Sequence, residues 1–429
     1  MGRSVRPIEG VGTAVAAFIG IAAEGPLYKP ILVTNWSQFT QTFGGYLKGT
    51  YLSRAVQGYL TNGGQQCYVV RIGAGNSRSD TVPRVALTSG SDADPERGDA
   101  GGDSTGRDAD DFGRDAAAGG TRDDGSRDHP REPPVTSALS ALENLDEVTM
   151  VSVPDLMTAY QNNWIDMDSV IEVQLAIIDH CEQMADRIAI LDSPPGLSVD
   201  QVVDWRAATP GFDSNFATLY WPWVKSLDPA TGRHTFMPPC GHVAGTWSRS
   251  DATRGVHRAP ANEIVSGVID VEAAISPDDK DRLSAHGINT IQPFPGKGVR
   301  VSGARTLSSD AAWQRINVRR LVNYLEKSIL NGTDWAASEP KDERLWGEIA
   351  QSVAGFLAME WRKGVLGSAG AAQSFFVSCD SHNNPPEIAA AGQIVCDIGV
   401  APVKPGEFVV FRLAKYPGGA STLTEAPQL

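Results

Sequence analysis

The sequence predicts a chain of the α/β class: an α/β core with a parallel or mixed sheet and a C-terminal α+β domain. Three observations carry this. Short apolar runs alternate with helix-length amphipathic segments through residues 15–221. The last third replaces that alternation with two long helical stretches and three short strands. The final strand, Phe408-Val409-Val410-Phe411-Arg412-Leu413, is apolar on both faces, as in a strand covered on both sides.

In order, Val15–Ile19 reads as a buried strand. GPLYKPILVTNWSQFTQTFGG (25–45) reads as a strand followed by a short helix opening near Asn35 or Ser37. A helix over Leu52–Leu60, a turn at Asn62-Gly63-Gly64 and a strand over Cys67–Ile72 follow. Further on come a strand Val148–Val153 and a helix capped near Asp168, with Ile171, Leu175, Ile178, Cys181 and Ala185 on one stripe. Strand Arg187–Leu191, a helix near Ser198–Ala208 and strand Phe216–Trp221 complete the alternation. Helices Ala311–Leu330 and Asp342–Lys363 precede strands Phe375–Cys379, Ile394–Ile398 and Phe408–Leu413. The domain division that follows is 1–20 for an N-terminal arm and first strand, 21–90 with 133–280 for the α/β domain, 281–404 for the C-terminal domain, and 405–429 for a C-terminal arm strand and tail.

Residues 91–132 stand apart. They hold 13 acidic and 6 basic residues, about half of the net charge of -14, with Phe112 as the one large apolar side chain. Such a segment buries too little surface to offset the entropy of ordering, and it reads as a disordered acidic insert. Asp108, Asp110 and Gly113 loosely resemble a calcium loop, but Phe112 and Gly119 stand where oxygen ligands belong.

The acidic balance argues against a nucleic-acid partner. No apolar run approaches the roughly 20 residues that cross a bilayer, and MGRSVRPIEG lacks the apolar core of a signal peptide, so synthesis in the cytoplasm without membrane insertion is expected. Cys67, Cys181, Cys240, Cys379 and Cys396 are widely spread and read as buried thiols.

An α/β core invites an enzyme reading, and the motifs do not support one. The G-x-S-x-G string Gly102-Asp103-Ser104-Thr105-Gly106 lies in the acidic segment with no apolar strand before it, so it is no nucleophile elbow. There is no H-E-x-x-H and no G-x-G-x-x-G after a strand, and Pro295-Gly-Lys-Gly298 lacks the upstream glycine and the Ser or Thr of a P-loop. No cofactor, metal or catalytic residue is assigned. His234, His242 and His257 are spaced off any one helical face and read as surface or turn residues. Asp192, Asp200 and Asp204 read as strand-end and helix-start carboxylates. Trp221-Pro222-Trp223, Trp346 and Trp361 read as core or interface aromatics. Arg319-Arg320, inside a helix, is better suited to pairing with Glu326 or a neighbouring chain than to binding phosphate.

Several long strings then matter together: PIEGVGTAVAAFIGIAAEGP (7–26), TFGGYLKGTYLSRAVQGYLTNGGQQCYVVRI (42–72), LYWPWV (219–224), GHVAGTWSRSDATRGVHRAPAN (241–262), GINTIQPFPGKGVRVSGARTLSSDAAWQRINVRRLVNYLEKSI (287–329) and APVKPGEFVVFRL (401–413). In this order the chain resembles the tail sheath protein family of contractile phage tails and contractile injection systems. The resemblance implies a structural subunit that polymerises around an inner tube and contracts to drive the tube through a cell envelope. It implies assembly in the cytoplasm into a phage tail or tail-like particle, with itself, an inner tube protein, and baseplate and tail-terminator proteins as partners. It also implies that the fold carries extended terminal arms, which add strands to neighbouring copies, so that Phe408–Leu413 would be completed by another chain, with Pro405, Gly406, Pro417, Gly418 and Gly419 as hinges. A non-contractile shell or surface-layer protein is the alternative.

Overall fold

A computed structural model describes residues 6–74, 135–340, 342–367, 369–402, 407–417 and 420–425. The acidic insert, with Asp108, Asp110 and Gly113, and the hinge candidates Pro405, Gly406, Gly418 and Gly419 lie outside the described residues. Strands β1 (Ala16–Ala22), β2 (Ile31–Val33), β3 (Cys67–Ala74), β4 (Met150–Ser152), β5 (Ile188–Asp192) and β6 (Ala217–Trp221) belong to one large sheet. The strands β7 (Val224–Asp228), β8 (Arg233–Met237) and β9 (Val268–Val271) form a small sheet beside it, and β10 (Ile288–Phe294) and β11 (Gly298–Ser302) return to the first. The large sheet has the order β11-β10-β6-β5-β4-β1-β3-β2. From β10 to β3 all neighbours run parallel, and β11 and β2 are antiparallel margins.

Parallel strands need long crossovers that cover both faces, and the sequence supplies them. Along β1, Ala17 and Ile19 face one core and Ala16 and Phe18 the other; along β5, Ala189 and Leu191 alternate with Ile188 and Ile190 in the same way. The first face is covered by α3 (Val135–Ser140), α4 (Leu156–Gln161), α5 (Met167–Met184), α6 (Val199–Ala207) and α8 (Pro277–Ala285). The second is covered by α1 (Trp36–Phe43), α2 (Leu52–Thr61) and α7 (Cys240–Arg254).

Several local expectations shift. The cap of α5 is Asp166, whose carboxylate accepts the Ser169 N–H at 2.9 Å, and the buried stripe is Val170, Val173, Ile177, Ile178 and Cys181. Ile171 and Leu175 are only half-buried, and Ala185 is the left-handed C-cap, with φ 54°. The α/β sheet does not end near residue 280: Ile288 pairs with Leu219, so the β10–β11 hairpin completes it as far as Ser302. Its turn is the glycine-rich string that failed as a P-loop, with Gly296 and Gly298 at φ 69° and 74°, where a side chain is disfavoured. His242 is buried in α7 rather than at a surface or turn, with burial lowering its pKa to about 4; His234 is exposed and His257 half-buried.

The C-terminal unit packs α9 (Ile316–Gly332) and α10 (Glu343–Arg362) against a second antiparallel sheet, β12 (Phe375–Ser378), β13 (Ile394–Val400), β14 (Val409–Lys415) and β15 (Ser421–Glu425), with short helices α11 (Ala371–Ser374) and α12 (Pro386–Ala390) between strands. Helix α9 begins five residues later than the periodicity predicts, because Thr306 is tied to the Trp313 and Gln314 carbonyls and 306–315 closes as a loop.

Two features generate predictions. Helices α2 and α7 cross with their backbones nearly touching. A Cβ on Gly241 would overlap the Ala55 carbonyl oxygen, and one on Gly245 the Tyr59 carbonyl oxygen. Gly241→Ala or Gly245→Ala should therefore cost about 2 kcal/mol or more by chemical denaturation. Gly347→Ala, on an exposed turn of α10 with open space around it, should be neutral or gain about 0.5–1 kcal/mol. The Asp192 carboxylate, buried at the end of β5, accepts the Cys240 N–H at the start of α7 at 3.0 Å, and burial raises its pKa from 3.8 to about 7. The folded chain holds this proton more tightly than the unfolded chain, so the contribution is full below 3.8 and is lost as pH rises towards 7. Tm should fall across that window, and Asp192→Asn should flatten the fall.

Candidate functional site

The C-terminal sheet answers what the final apolar strand pairs with. Strand β14 is hydrogen-bonded on one edge to β13, with Arg412 opposite Asp397, and on the other to β15, with Leu413 opposite Leu423. Within the chain, β13 lies along β14 from Val409 to Lys415 and β15 along its other edge from Phe411 to Lys415, so another copy would complete Phe408–Leu413 on that edge by taking the place of β15. Val409, Phe411 and Leu413 are buried against α9 and α10, as the alternation predicts. On the other face Val410 is buried, Phe408 stacks edge-on against Phe376 at 5.1 Å, and Arg412 reaches solvent, holding Asp397 through two hydrogen bonds of 2.6 and 3.0 Å.

The missed element is β15. Tyr416 donates its N–H to the Ala420 carbonyl at 2.8 Å and closes the hairpin, with exposed Pro417 in its turn. Ser-Thr-Leu-Thr-Glu is polar and only half-buried at best, so no apolar signal announces a strand. It forms one outer margin of the sheet, and β12 forms the other. Two charged groups fasten it. Near its start, buried Lys415 reaches Ser421 Oγ at 3.0 Å and Asp334 at 3.2 Å. At its end, Glu425 pairs with Arg319.

Arg319 and Arg320, adjacent on α9, look in different directions. The buried Arg319 guanidinium lies 4.3 Å from the Trp313 ring and 4.6 Å from that of Phe216, and donates to Asn323 at 2.6 Å and Glu326 at 3.1 Å. Glu326 is thus the partner its sequence position indicated. Burial pushes the Glu326 carboxyl up to about 8; Arg319 pulls it down and Glu425 pushes it further up. Arg320 lies 4.7 Å from the Trp247 ring, grips Asp251 at 2.6 and 2.9 Å, and donates to the Thr13 carbonyl at 2.8 Å.

The latter contact belongs to a second seam. Residues 6–15 run back along α9 before entering β1. Arg6 lies 4.4 Å from the Trp335 ring, Ile8 is buried beside Gly332, Val11 donates to Ser328 Oγ at 3.1 Å, and Thr13 donates to Asp251 at 2.7 Å. Helix α9 therefore holds both the entry segment and the last strand.

The crevice between β1 and β4, where the strand order reverses, is where open α/β sheets seat ligands. Here the Asp155 carboxylate fills it. It accepts N–H groups from Ile21, Tyr51 and Leu52, the last two at the N-terminus of α2, and a Cβ on Gly20 would lie 2.6 Å from it. The anion seat of that helix is thus taken by the chain's own side chain. Asp200 and Asp204 lie on α6, Asp200 in its first turn. Trp221 and Trp223 are core residues, Trp346 is buried and Trp361 half-buried, its Nε1 donating to the Ala369 carbonyl at 2.9 Å. The five cysteines are free and buried. Among the described residues no cluster of three His, Cys, Asp or Glu side chains is placed to hold a metal, and no helix is long and apolar enough to cross a membrane.

Comparison with known proteins adds to this geometry. The family model described as phage tail sheath protein central domain matches residues 137–307, and that described as phage tail sheath C-terminal domain matches 308–414. The chain is 26% identical over 273 residues to the tail sheath protein of Salmonella phage ViI, covering 60% of this chain and 42% of that protein. It is 31% identical over 225 residues to the tail sheath protein of Burkholderia phage BcepMu, covering 48% of this chain and 45% of that one. The chain thus spans less than half the length of these relatives. Its fold matches the sheath of an extracellular contractile injection system, PVC, solved in the contracted state, with TM-score 0.66 and 21% identity over 95% of this chain and 94% of that one.

The two seams on α9 predict distinct losses. Glu425→Gln should weaken the attachment of β15 by about 1 kcal/mol, the order of a partly exposed charge pair, and speed amide exchange at 421–425 alone. Asp251→Ala leaves the buried Arg320 unpaired and should cost about 3 kcal/mol or more, with faster exchange at residues 8–13.

Proposed function

On the premise that the chain belongs to the phage tail sheath protein family, we propose that it is the structural subunit of a contractile sheath. It polymerises around an inner tube and shortens to drive that tube through a target envelope. The observation that carries this reading is the C-terminal sheet, whose outermost strand is polar, exposed and joined to the rest by one turn.

Such a strand suits exchange between copies. The bonds that β15 makes to β14 within one chain are the bonds it would make to β14 of a neighbour, so the closed and exchanged forms differ little in gross contact energy. The exchanged ribbon in this proposal is therefore 421–425, with Pro417, Gly418 and Gly419 as the hinge, while Val409–Lys415 stays at home as the acceptor. Pro405 and Gly406 precede the acceptor and allow its sheet to reorient. Exchange repeated head to tail gives a continuous mesh, and main-chain bonds in the mesh survive while the α/β bodies rotate and repack. No catalytic step is assigned. An energy difference of about 1–3 kcal/mol per subunit, the size of ordinary coupling terms, is multiplied along the polymer into a large driving force. The inner tube, baseplate and tail-terminator proteins are the partners this role requires.

Removing residues 417–429 should leave a chain that unfolds cooperatively yet forms no tubes or rings by electron microscopy, whereas the intact chain with its tube protein should give particles of two lengths. Leu423→Pro should act like the truncation. Truncated chains that assemble as the intact chain does would remove the exchange mechanism. A particle of one fixed length under every condition would favour a static shell. Cutting back to residue 406 is a different experiment, because it deletes β14 from the core.

A further inference from the structure

Strands β12 and β13 pair antiparallel, with Phe375 opposite Val400 and Ser378 opposite Asp397. One step further along this register, Cys379 stands opposite Cys396. Both are buried in the C-terminal core, and the neighbouring Cys379 thiol is the largest influence raising the Cys396 pKa. The loop leaving Cys379 is pinned in a way that keeps the register. Asn384 donates to the Val395 carbonyl at 2.9 Å and accepts the Val395 N–H at 2.7 Å, and Asn383 donates to Asp397 at 2.6 Å. Directly opposed residues of an antiparallel pair have Cβ atoms about 4.5–5.5 Å apart, close to the roughly 3.5–4.5 Å of a disulfide. The other cysteines sit on separate elements of the α/β body: Cys67 in β3, Cys181 in α5 and Cys240 in α7.

We propose that Cys379 and Cys396 form an oxidisable pair that closes a cross-strand disulfide, stapling the marginal strand β12 to β13. The oxidant is a low-molecular-weight disulfide. The Cys379 thiolate attacks one of its sulfurs, expels one thiolate and leaves a mixed disulfide on Cys379. The Cys396 sulfur, as it gives up its proton, attacks the Cys379 sulfur and expels the second thiolate. One protein S–S bond forms, two S–H bonds are lost, and the two protons convert the departing thiolates to thiols. The order follows access: Cys379 is 8% exposed at the strand end, whereas Cys396 is fully enclosed. The neighbouring Cys379 thiol and burial both raise the Cys396 pKa, so closure is slow and waits on fraying of the end of β12. In a reducing cell interior the pair stays dithiol, and an oxidising medium closes it.

The test is to incubate the full chain with oxidised glutathione, alkylate the remaining thiols, digest and map the peptides. The expected result is a peptide joining 379 to 396, an intact mass lower by two hydrogens, and a raised Tm that dithiothreitol reverses. The Cys379→Ser and Cys396→Ala variants should lose the linkage and the rise in Tm, and Cys379→Ser, at the strand end, should keep the fold. Three results would overturn the proposal: a glutathione adduct that persists on Cys379 beside a free Cys396, five alkylatable thiols after prolonged exposure of a chain that still melts cooperatively, or a disulfide joining any other pair. None of these bears on whether the chain polymerises.

Discussion

Two guanidinium groups buried side by side on α9 tie both ends of the chain to its middle. A buried charge is tolerable only when its donors are satisfied, and a partner removed from such a pair leaves a cost of several kcal/mol. Arg320 is satisfied by Asp251 of α7 and the Thr13 carbonyl of the entry segment, so the α/β body and the N-terminal run must both be in place. Arg319 draws on Asn323 and Glu326 of its own helix and on Glu425 at the far end of the chain. The aromatic rings beside them, Trp247 for Arg320 and Trp313 with Phe216 for Arg319, exclude water and fix the two directions. The distal partners differ in kind. Asp251 is enclosed, whereas Glu425 is partly exposed on a strand with a single paired edge, so the C-terminal attachment is the weaker.

Much of the α/β body is legible in the sequence because its signals are local. The strands β1, β3, β5 and β6 are short apolar runs whose alternate residues face two separate cores, and the caps Asn35, Ser198 and Asp342 sit where side-chain acceptors precede apolar periodicity. What was not legible depends on pairing at a distance. The β10–β11 hairpin belongs to the large sheet only because Ile288 finds Leu219, so a division drawn near residue 280 cut through it. Asp166 and Asp168 both lie at the head of the same periodic run, and only the hydrogen bond to Ser169 marks Asp166 as the cap of α5.

The same limit applies to the candidate site. That Val409, Phe411 and Leu413 share a buried face follows from period two; which strand lies beside them does not. Ser421–Glu425 carries one half-buried apolar residue, Leu423, and a polar margin strand of this sort gives no compositional warning. The link between Arg319 and Glu326, two turns apart on one helix, was readable from spacing, whereas the third member, Glu425, comes from 106 residues away. Cross-strand opposition of Cys379 and Cys396 is likewise a property of register, invisible until Phe375 is seen to lie opposite Val400.

The carboxylate of Asp155 also decides what the switch-point crevice can admit. An anion arriving beneath the N-terminus of α2 would have to displace a carboxylate that already takes the N–H groups of Ile21, Tyr51 and Leu52, so that corner serves as an internal clasp between β1 and α2.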